Sequence, residues 1–195
     1  MPEVKHICIY CSSSTKIDDY YFRDARKLGQ LMAAKGIAVV NGAGSMGLMQ
    51  ASTDGCLEAG GEAIGIIPSF MIKEGWCLQG MTQIVETPDM HIRQQKMAEM
   101  SDAAIILPGG CGTLAELMEL ITWKQLGLYL KPIVILNTNG YYDFLLQALE
   151  QAVEQNFMRQ QHTAIWQVAR TPEEALKLVL ETPRWDTSIR RFAAI

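Results

Sequence analysis

The sequence predicts an α/β protein, a three-layer sandwich with a central parallel sheet. Three observations predict it. Short β-branched and apolar runs alternate with longer helix-forming segments along the whole chain. Glycine-rich turns connect strands to the helices that follow them. No internal repeat, low-complexity segment or linker interrupts this alternation. Such an order is typical of a parallel sheet with helices on both faces.

The first three strands are predicted where short runs are rich in β-branched and apolar residues, at residues 4–11 (VKHICIYC), 37–41 (IAVVN) and 62–67 (EAIGII). The first helix can be capped by Asp18 or Asp19 and ends at about Lys35, before Gly36. A second helix follows a glycine turn and ends near Ala59. Residues 69–81 are predicted to be irregular.

The second half of the chain continues the alternation. Strands are predicted at residues 82–86, 103–107, 132–137 and near 164–169. Helices are predicted at residues 89–100, from the glycine loop at residues 108–113 to residue 126, and at residues 142–156. The last helix begins at Thr171, which is a good N-cap because Pro172 occupies the first helical position.

The composition is that of one cytoplasmic globular domain spanning residues 1–195. Of the 195 residues, 49% are hydrophobic and 19% are charged, and the formal net charge is −4. No run of Lys or Arg forms a patch for nucleic acid. We expect no membrane association, because no apolar stretch reaches the ~20 residues that cross a bilayer, and the N-terminus does not resemble a signal peptide.

The five cysteines are an odd number and indicate a reducing compartment. Cys8 and Cys11 have the spacing of a redox or zinc motif, but no second pair and no suitably spaced His completes a metal site. We interpret both as small apolar residues of a buried strand.

The glycine loop at residues 108–113 (PGGCGT) is the strongest functional feature of the sequence. It follows an apolar strand and begins a helix. Glycines let backbone N–H groups approach an anion, the helix N-terminus adds partial positive charge, and Thr113 adds a hydroxyl donor. A phosphate is therefore the expected ligand. The loop lacks the lysine of a nucleoside triphosphate loop. The alternative is a tight strand–helix turn without a ligand.

A second loop at residues 42–47 (GAGSMG) matches the dinucleotide pattern G-x-G-x-x-G. That pattern also requires an acidic residue at the far end of the next strand, whereas Glu62 lies at its beginning. We therefore favour close packing of strand and helix, with Gly44 and Ser45 lining a shared ligand pocket.

Two charged residues are candidates for chemistry. Glu116 lies one helical turn after Thr113, close to whatever the loop binds, and Arg93 has a guanidinium suited to a phosphate or a carboxylate. Considered by spacing alone, each could equally be an exposed surface residue.

Several motifs together resemble the Lonely Guy family, the cytokinin riboside monophosphate phosphoribohydrolases, whose members were often first labelled lysine decarboxylase-like. The segment PGGCGTLAE at residues 108–116 resembles the specific PGGxGTxxE signature of that family. Five further segments support the resemblance: residues 11–14 (CSSS), 42–49 (GAGSMGLM), 89–97 (DMHIRQQKM), 121–127 (ITWKQLG) and 139–146 (NGYYDFLL).

The resemblance implies a Rossmann-like fold, a homodimer with sites at the subunit interface, and hydrolysis of the N-glycosidic bond of a nucleoside 5′-monophosphate. It implies Arg93 and Glu116 as the catalytic pair. The expected substrate-binding residues are Gly109, Gly110, Cys111, Gly112, Thr113, Gln94, Thr122, Gly44 and Ser45. We expect no metal and no cofactor. The sequence departs from the family pattern at Gln94, where the family has Lys, and at Ser12 and Ala43, where it has Gly.

The resulting hypothesis is cleavage of AMP or an N6-substituted AMP into free base and ribose 5-phosphate. The loop and Arg93 anchor the phosphate, and ionised Glu116 stabilises an oxocarbenium-like sugar and activates water. One alternative is a protein that binds a phosphorylated ligand without chemistry. A pyridoxal-phosphate decarboxylase is disfavoured, because the candidate lysines have no Schiff-base context.

Overall fold

A seven-stranded sheet forms the centre of the computed structural model, which describes residues 3–192. All six neighbouring strand pairs are parallel, and the order across the sheet is β4-β3-β2-β1-β5-β6-β7. The strands are β1 (His6–Tyr10), β2 (Ala38–Asn41), β3 (Ala63–Pro68), β4 (Gln83–Thr87), β5 (Ala103–Ile106), β6 (Ile133–Leu136) and β7 (Gln167–Ala169). The α/β class and the central parallel sheet predicted from the sequence are confirmed.

Seven α-helices connect or follow the strands within the described residues: α1 (Asp19–Ala34), α2 (Gly47–Glu58), α3 (Ser69–Lys73), α4 (Met90–Glu99), α5 (Cys111–Gln125), α6 (Asp143–Glu154) and α7 (Pro172–Glu181). Three 3₁₀ helices lie at Thr138–Gly140, Gln160–Ala164 and Thr187–Phe192. The predicted N-caps include Thr171, whose hydroxyl accepts the N–H of Glu174 at 3.2 Å. None of the helices in residues 3–192 combines the length and apolar character that a bilayer crossing requires.

Two elements differ from the sequence prediction. Residues 69–81 contain the short helix α3, and the segment before β7 is a 3₁₀ helix instead of the start of a strand. The reason for the first difference is that α3 spans only five residues, which is too short for the apolar periodicity that reveals a helix.

The two faces of the sheet have separate cores. On one face, α1, α2 and α7 pack against side chains such as Ile7, Ile9 and Val39. On the other face, α4, α5 and α6 pack against Cys8, Tyr10 and their neighbours. This arrangement is the predicted three-layer sandwich.

The C-x-x-C pair does not converge on one site. Strand residues three positions apart point to opposite faces, and accordingly Cys8 belongs to one core and Cys11 to the other. Both thiols are buried and free, and burial raises the pKa of Cys8 to about 12. They are core residues, as the sequence interpretation proposed.

The strand order places the functional loops. The chain moves outward from β1 through β2 and β3 to β4, and then returns to the other side of β1 with β5. Parallel sheets bind ligands beyond the carboxyl ends of the strands, at the point where the strand order reverses. Here that point lies between β1 and β5, so it is flanked by the loops at residues 11–14 and 108–113.

Candidate active site

A cavity of about 470 Å³ opens at this point of reversal. Four loops form it, those that follow β1, β2, β3 and β5, together with side chains of α2, α3, α4 and α5. Its polar lining consists of Ser12, Ser13, Ser14, Ser45, Arg93, Thr113 and Glu116, with the backbone of Gly42, Gly44, Gly110 and Gly112. The structure thus brings together most of the residues that the sequence assigned to one site.

The phosphate-loop candidate forms the start of α5. Gly110 is the N-cap residue, and within the described residues no side chain caps this helix end. The first-turn N–H groups are therefore not satisfied by a capping side chain, as an anion site requires. A Cβ on Gly109 would lie 2.1 Å from Oγ1 of Thr113, so only glycine lets that threonine pack beneath the loop.

Gly42 and Gly47 permit close contacts, but with Arg93 of α4 and with the loop after β1, whereas the sequence predicted packing between a strand and a helix. A Cβ on Gly42 would lie 1.6 Å from Nη2 of Arg93, and a Cβ on Gly47 would lie 2.6 Å from the carbonyl oxygen of Ser12. Gly47 also has a φ of +66°, which disfavours other residues. These glycines therefore let Arg93 and the β1 loop reach the cavity.

Arg93 is fixed by backbone carbonyls. Although it is a charged residue it is only 5% exposed. Its Nε donates to the carbonyl oxygen of Ile66 at 3.1 Å, and its Nη2 donates to that of Gly42 at 3.3 Å. These bonds fix the plane of the guanidinium at the ends of β3 and β2. Its Nη1 is directed toward Glu116.

Glu116 lies opposite Arg93 in the cavity wall. Its Oε1 is 4.0 Å from Nη1 of Arg93, and its side chain is only 11% exposed. Burial raises the pKa of this carboxyl group from 4.5 to about 7, although the Arg93 guanidinium acts in the opposite direction and Glu119 adds to the increase. A group with this pKa can both accept and release a proton near neutral pH.

The cavity also has an apolar lining, which the sequence analysis missed. It includes Met46, Met49, Met71, Trp76 and Met90. The segment with Trp76 is attached to the β2 loop, because Ser45 N–H donates to the Trp76 carbonyl at 3.0 Å. A signal was available: Trp76 lies in a loop beyond the end of β3, and loops carry a disproportionate share of binding residues.

Four predicted residues lie outside the cavity lining. Gly109 is buried behind the loop, Cys111 is exposed at its tip, and Gln94 is half-buried on α4. Thr122 is exposed on α5, where its hydroxyl donates to the carbonyl of Met118 at 2.8 Å. Their roles in substrate binding stay predictions.

The lysines give no support to Schiff-base chemistry at this cavity. None of the cavity-lining residues in the described part of the chain is a lysine. Lys124, whose pKa is lowered by burial to about 8, instead donates to the carbonyl of Lys131 at 2.9 Å. Its ammonium also lies 5.2 Å from the centre of the Trp185 ring.

Known sequences identify the family. The profile of the family described as "Possible lysine decarboxylase" matches residues 49–179. A probable cytokinin riboside 5′-monophosphate phosphoribohydrolase of Oryza sativa subsp. japonica is 39% identical over 189 residues, which are 96% of this chain and 76% of the relative. The chain belongs to the Lonely Guy family. A second member, a cytokinin riboside 5′-monophosphate phosphoribohydrolase of Arabidopsis thaliana, is 38% identical over 91% of this chain and 82% of that protein.

Solved structures share the fold of this Lonely Guy protein. The molybdenum cofactor binding protein from Rippkaea orientalis has a TM-score of 0.71 and 22% identity, covering 92% of this chain and 98% of that chain. The Moco carrier protein from Chlamydomonas reinhardtii has a TM-score of 0.69 and 21% identity, covering 92% of this chain and 97% of that chain. At these identities the likeness shows the fold alone.

The three departures from the Lonely Guy pattern have different surroundings. Ser12 lies in the cavity wall, and its Oγ accepts the N–H of Ser14 at 2.9 Å. Ala43 is fully buried with a φ of +54°, a conformation that favours the family glycine. Gln94 does not line the cavity.

Proposed function

We propose that this protein hydrolyses the N-glycosidic bond of a nucleoside 5′-monophosphate, AMP or an N6-substituted AMP, to free base and ribose 5-phosphate. The observation that carries the proposal is the position of Glu116. Its buried carboxyl group faces Arg93 in a cavity wall, one helical turn beyond the first N–H groups of α5, which are suited to phosphate. Family membership supports the same activity.

The nucleotide would lie across the strand ends. The phosphate binds the amides of Gly110 to Thr113 above β5, which places the ribose beside Glu116. The base extends over β2 and β3, toward Met46, Met71 and Trp76. Adjacent strands are ~4.8 Å apart, so this path covers roughly 14 Å. Flat bases stack on aromatic rings, and methionine side chains adapt to different shapes.

In the proposed step, a water oxygen bonds to C1′ of the ribose as the bond to the base nitrogen breaks. The Glu116 carboxylate accepts a proton from that water and stabilises the positive charge that develops on the sugar. The leaving base nitrogen takes up one proton from solvent, and Glu116 then releases to solvent the proton it accepted, so the reaction consumes one water overall.

The role that we propose for Arg93 differs from the hypothesis drawn from the sequence, in which Arg93 helps to anchor the phosphate. Two of its nitrogens bond to the carbonyls of Ile66 and Gly42, and its Nη1 faces Glu116. We therefore assign Arg93 to orienting Glu116 and favouring its ionised form, and we assign the phosphate to the loop amides.

We also propose that the active form is a homodimer. Thr122 is exposed on α5, and Leu126 and Leu128 follow it with 44% and 66% exposure. An apolar surface of this kind fits a second copy of the chain. That copy would bring Thr122 toward a neighbouring cavity.

A panel of nucleoside monophosphates tests the activity. AMP, an N6-isopentenyl AMP, GMP, CMP and UMP are incubated with the protein, and free base and ribose 5-phosphate are measured by chromatography. Equal amounts of base and ribose 5-phosphate from at least one adenine nucleotide are expected. Binding of AMP without release of base from any of the five would identify a non-catalytic binding protein instead.

A further inference from the structure

Three successive carbonyl groups at the start of the phosphate loop accept hydrogen bonds from outside the loop. The hydroxyl of Tyr142 donates to the carbonyl oxygen of Leu107 at 2.7 Å. The N–H of Ser12 donates to the carbonyl oxygen of Pro108 at 3.1 Å. The hydroxyl of Tyr141 donates to the carbonyl oxygen of Gly109 at 2.8 Å. These bonds fix the orientation of the peptide groups that lead into α5.

The orientation of a carbonyl also sets the orientation of the next N–H group. In a planar trans peptide the C=O and the following N–H point in opposite directions, and the described residues contain trans peptides throughout. A Gly109 carbonyl that points to Tyr141 therefore directs the Gly110 N–H away from Tyr141. Gly110 lines the cavity and is the N-cap of α5.

We propose that Tyr141 is a positioning residue for the substrate phosphate. Its hydroxyl holds the Gly109 carbonyl so that the N–H of Gly110 faces the cavity. The inference rests on the proposed function, because it assumes that a phosphate is the ligand of this loop.

Tyr141 is suited to this role because its own position is fixed. Its ring makes edge contacts with the rings of Tyr21 and Tyr142, at centroid distances of 6.0 and 4.9 Å and interplanar angles of 83° and 84°. The preceding turn is anchored by Asn137, whose Oδ1 accepts the N–H of Tyr142 at 2.7 Å. Thr138 in the same turn donates to a carboxylate oxygen of Asp24 in α1 at 2.6 Å.

Tyr142 offers a matched control within the same motif. Its hydroxyl also holds a loop carbonyl, but the peptide after Leu107 has Pro108 as its nitrogen and so has no N–H to orient. Tyr142 is only 1% exposed, so loss of its hydroxyl leaves the Leu107 carbonyl unsatisfied in the core. Its removal should reduce stability more than phosphate affinity.

The experiment compares Tyr141→Phe with Tyr142→Phe, each made in a Glu116→Gln background that prevents turnover. Calorimetry measures affinity for AMP, ribose 5-phosphate and adenosine, and urea denaturation measures stability. Tyr141→Phe should weaken AMP and ribose 5-phosphate binding roughly 2- to 10-fold, the worth of one hydrogen bond. The affinity of the Tyr141→Phe variant for adenosine should stay within about twofold of the affinity of the Glu116→Gln protein. Tyr142→Phe should show the larger loss of stability and the smaller loss of phosphate affinity.

Kinetics of the two tyrosine variants in the otherwise native chain give a second readout. Tyr141→Phe should raise the KM for AMP and leave kcat within about twofold of the parent value. The reason is that the Gly110 N–H binds the phosphate equally in the ground state and in the transition state. Unchanged phosphate affinity in Tyr141→Phe, or an equal loss for adenosine, would overturn the inference. If the Glu116→Gln background binds neither AMP nor ribose 5-phosphate, the proposed function itself fails, and the positioning role with it.

Discussion

At the scale of single residues, burial and one neighbouring guanidinium act on the Glu116 carboxyl group in opposite directions. Burial raises its pKa to about 7, and Arg93 limits that increase. Arg93 can do so because backbone carbonyls hold it in place. The pair therefore supplies a carboxyl group that changes its charge near neutral pH, which suits a general base.

The first prediction at this scale concerns the pH dependence of hydrolysis. Because Glu116 must be ionised to accept a proton, kcat/KM should rise with pH and level off above about 7. Well below that pH it should fall about tenfold per pH unit. The nucleotide phosphate also titrates, at a pKa of about 6. AMP binding to Glu116→Gln across the same pH range measures that contribution separately. A rate independent of pH between 5 and 8 would exclude Glu116 as the base.

The same shift in pKa predicts how stability depends on pH. Between pH 4.5 and about 7 the unfolded chain has lost the Glu116 proton, whereas the folded protein keeps it. The free energy of unfolding should therefore fall as pH rises through this window. Glu116→Gln removes this contribution, so the variant should be increasingly more stable than the parent up to pH 7, by on the order of 3 kcal/mol. Urea denaturation of both proteins at pH 5, 6 and 8 measures these free energies of unfolding. If they change in parallel with pH, the prediction is contradicted.

At the scale of elements, each loop beyond a strand end supplies one part of the site. The β5 loop supplies amides, the β2 loop supplies glycines that admit Arg93, and the segment after β3 supplies Trp76. The helices α4 and α5 lie on the same face of the sheet and carry Arg93 and Glu116. The site thus depends on the exact approach of several elements to one another.

The variant Gly42→Ala tests the close contact between the β2 loop and Arg93. The added Cβ would lie 1.6 Å from Nη2 of Arg93, so the guanidinium must leave the carbonyls of Gly42 and Ile66. Activity should fall by at least tenfold, since a misoriented pair loses the proper geometry. Gly60→Ala is the control, because its Cβ would meet open space while its φ of +77° costs some stability. Equal activity of the two variants would contradict the role given to Arg93.

Some of this arrangement could be predicted from the sequence, and some could not. The glycine loop at residues 108–113 can be predicted from the sequence, because its strand, glycines and helix are contiguous in residues 103–116. The pairing of Arg93 with Glu116 was proposed through family resemblance, because the two lie on different helices and spacing alone does not bring them together. Trp76 was not assigned to the site, because its segment joins the β2 loop through a hydrogen bond between residues distant in sequence, from Ser45 N–H to the Trp76 carbonyl.

At the scale of the whole molecule, the order of the strands determines where the site lies. Alternating strands and helices predicted the parallel sheet and its two helical layers, but not the strand order, which depends on packing between distant segments. The observed order brings the β1 and β5 loops side by side. Tyr141 and Tyr142 then support the β5 loop from the turn after β6.

The assembly of two chains is the prediction at this scale. Sedimentation velocity should give twice the mass of the single chain, and Leu128→Glu should shift the protein toward monomer, because it places a charge in an exposed apolar surface. Gln30→Glu, on α1 at the opposite face of the sheet, should leave the mass unchanged. A parent protein that sediments as a monomer at micromolar concentration would contradict the proposed dimer.

The most direct measurement compares AMP hydrolysis by Glu116→Gln with hydrolysis by Glu119→Gln. Glu119 lies on the same helix but does not line the cavity. Glu116→Gln should lower kcat roughly 10²- to 10⁴-fold and bind AMP with nearly the parent affinity, whereas Glu119→Gln should hydrolyse AMP within about threefold of the parent rate. Hydrolysis of AMP by Glu116→Gln at the parent rate would contradict the account.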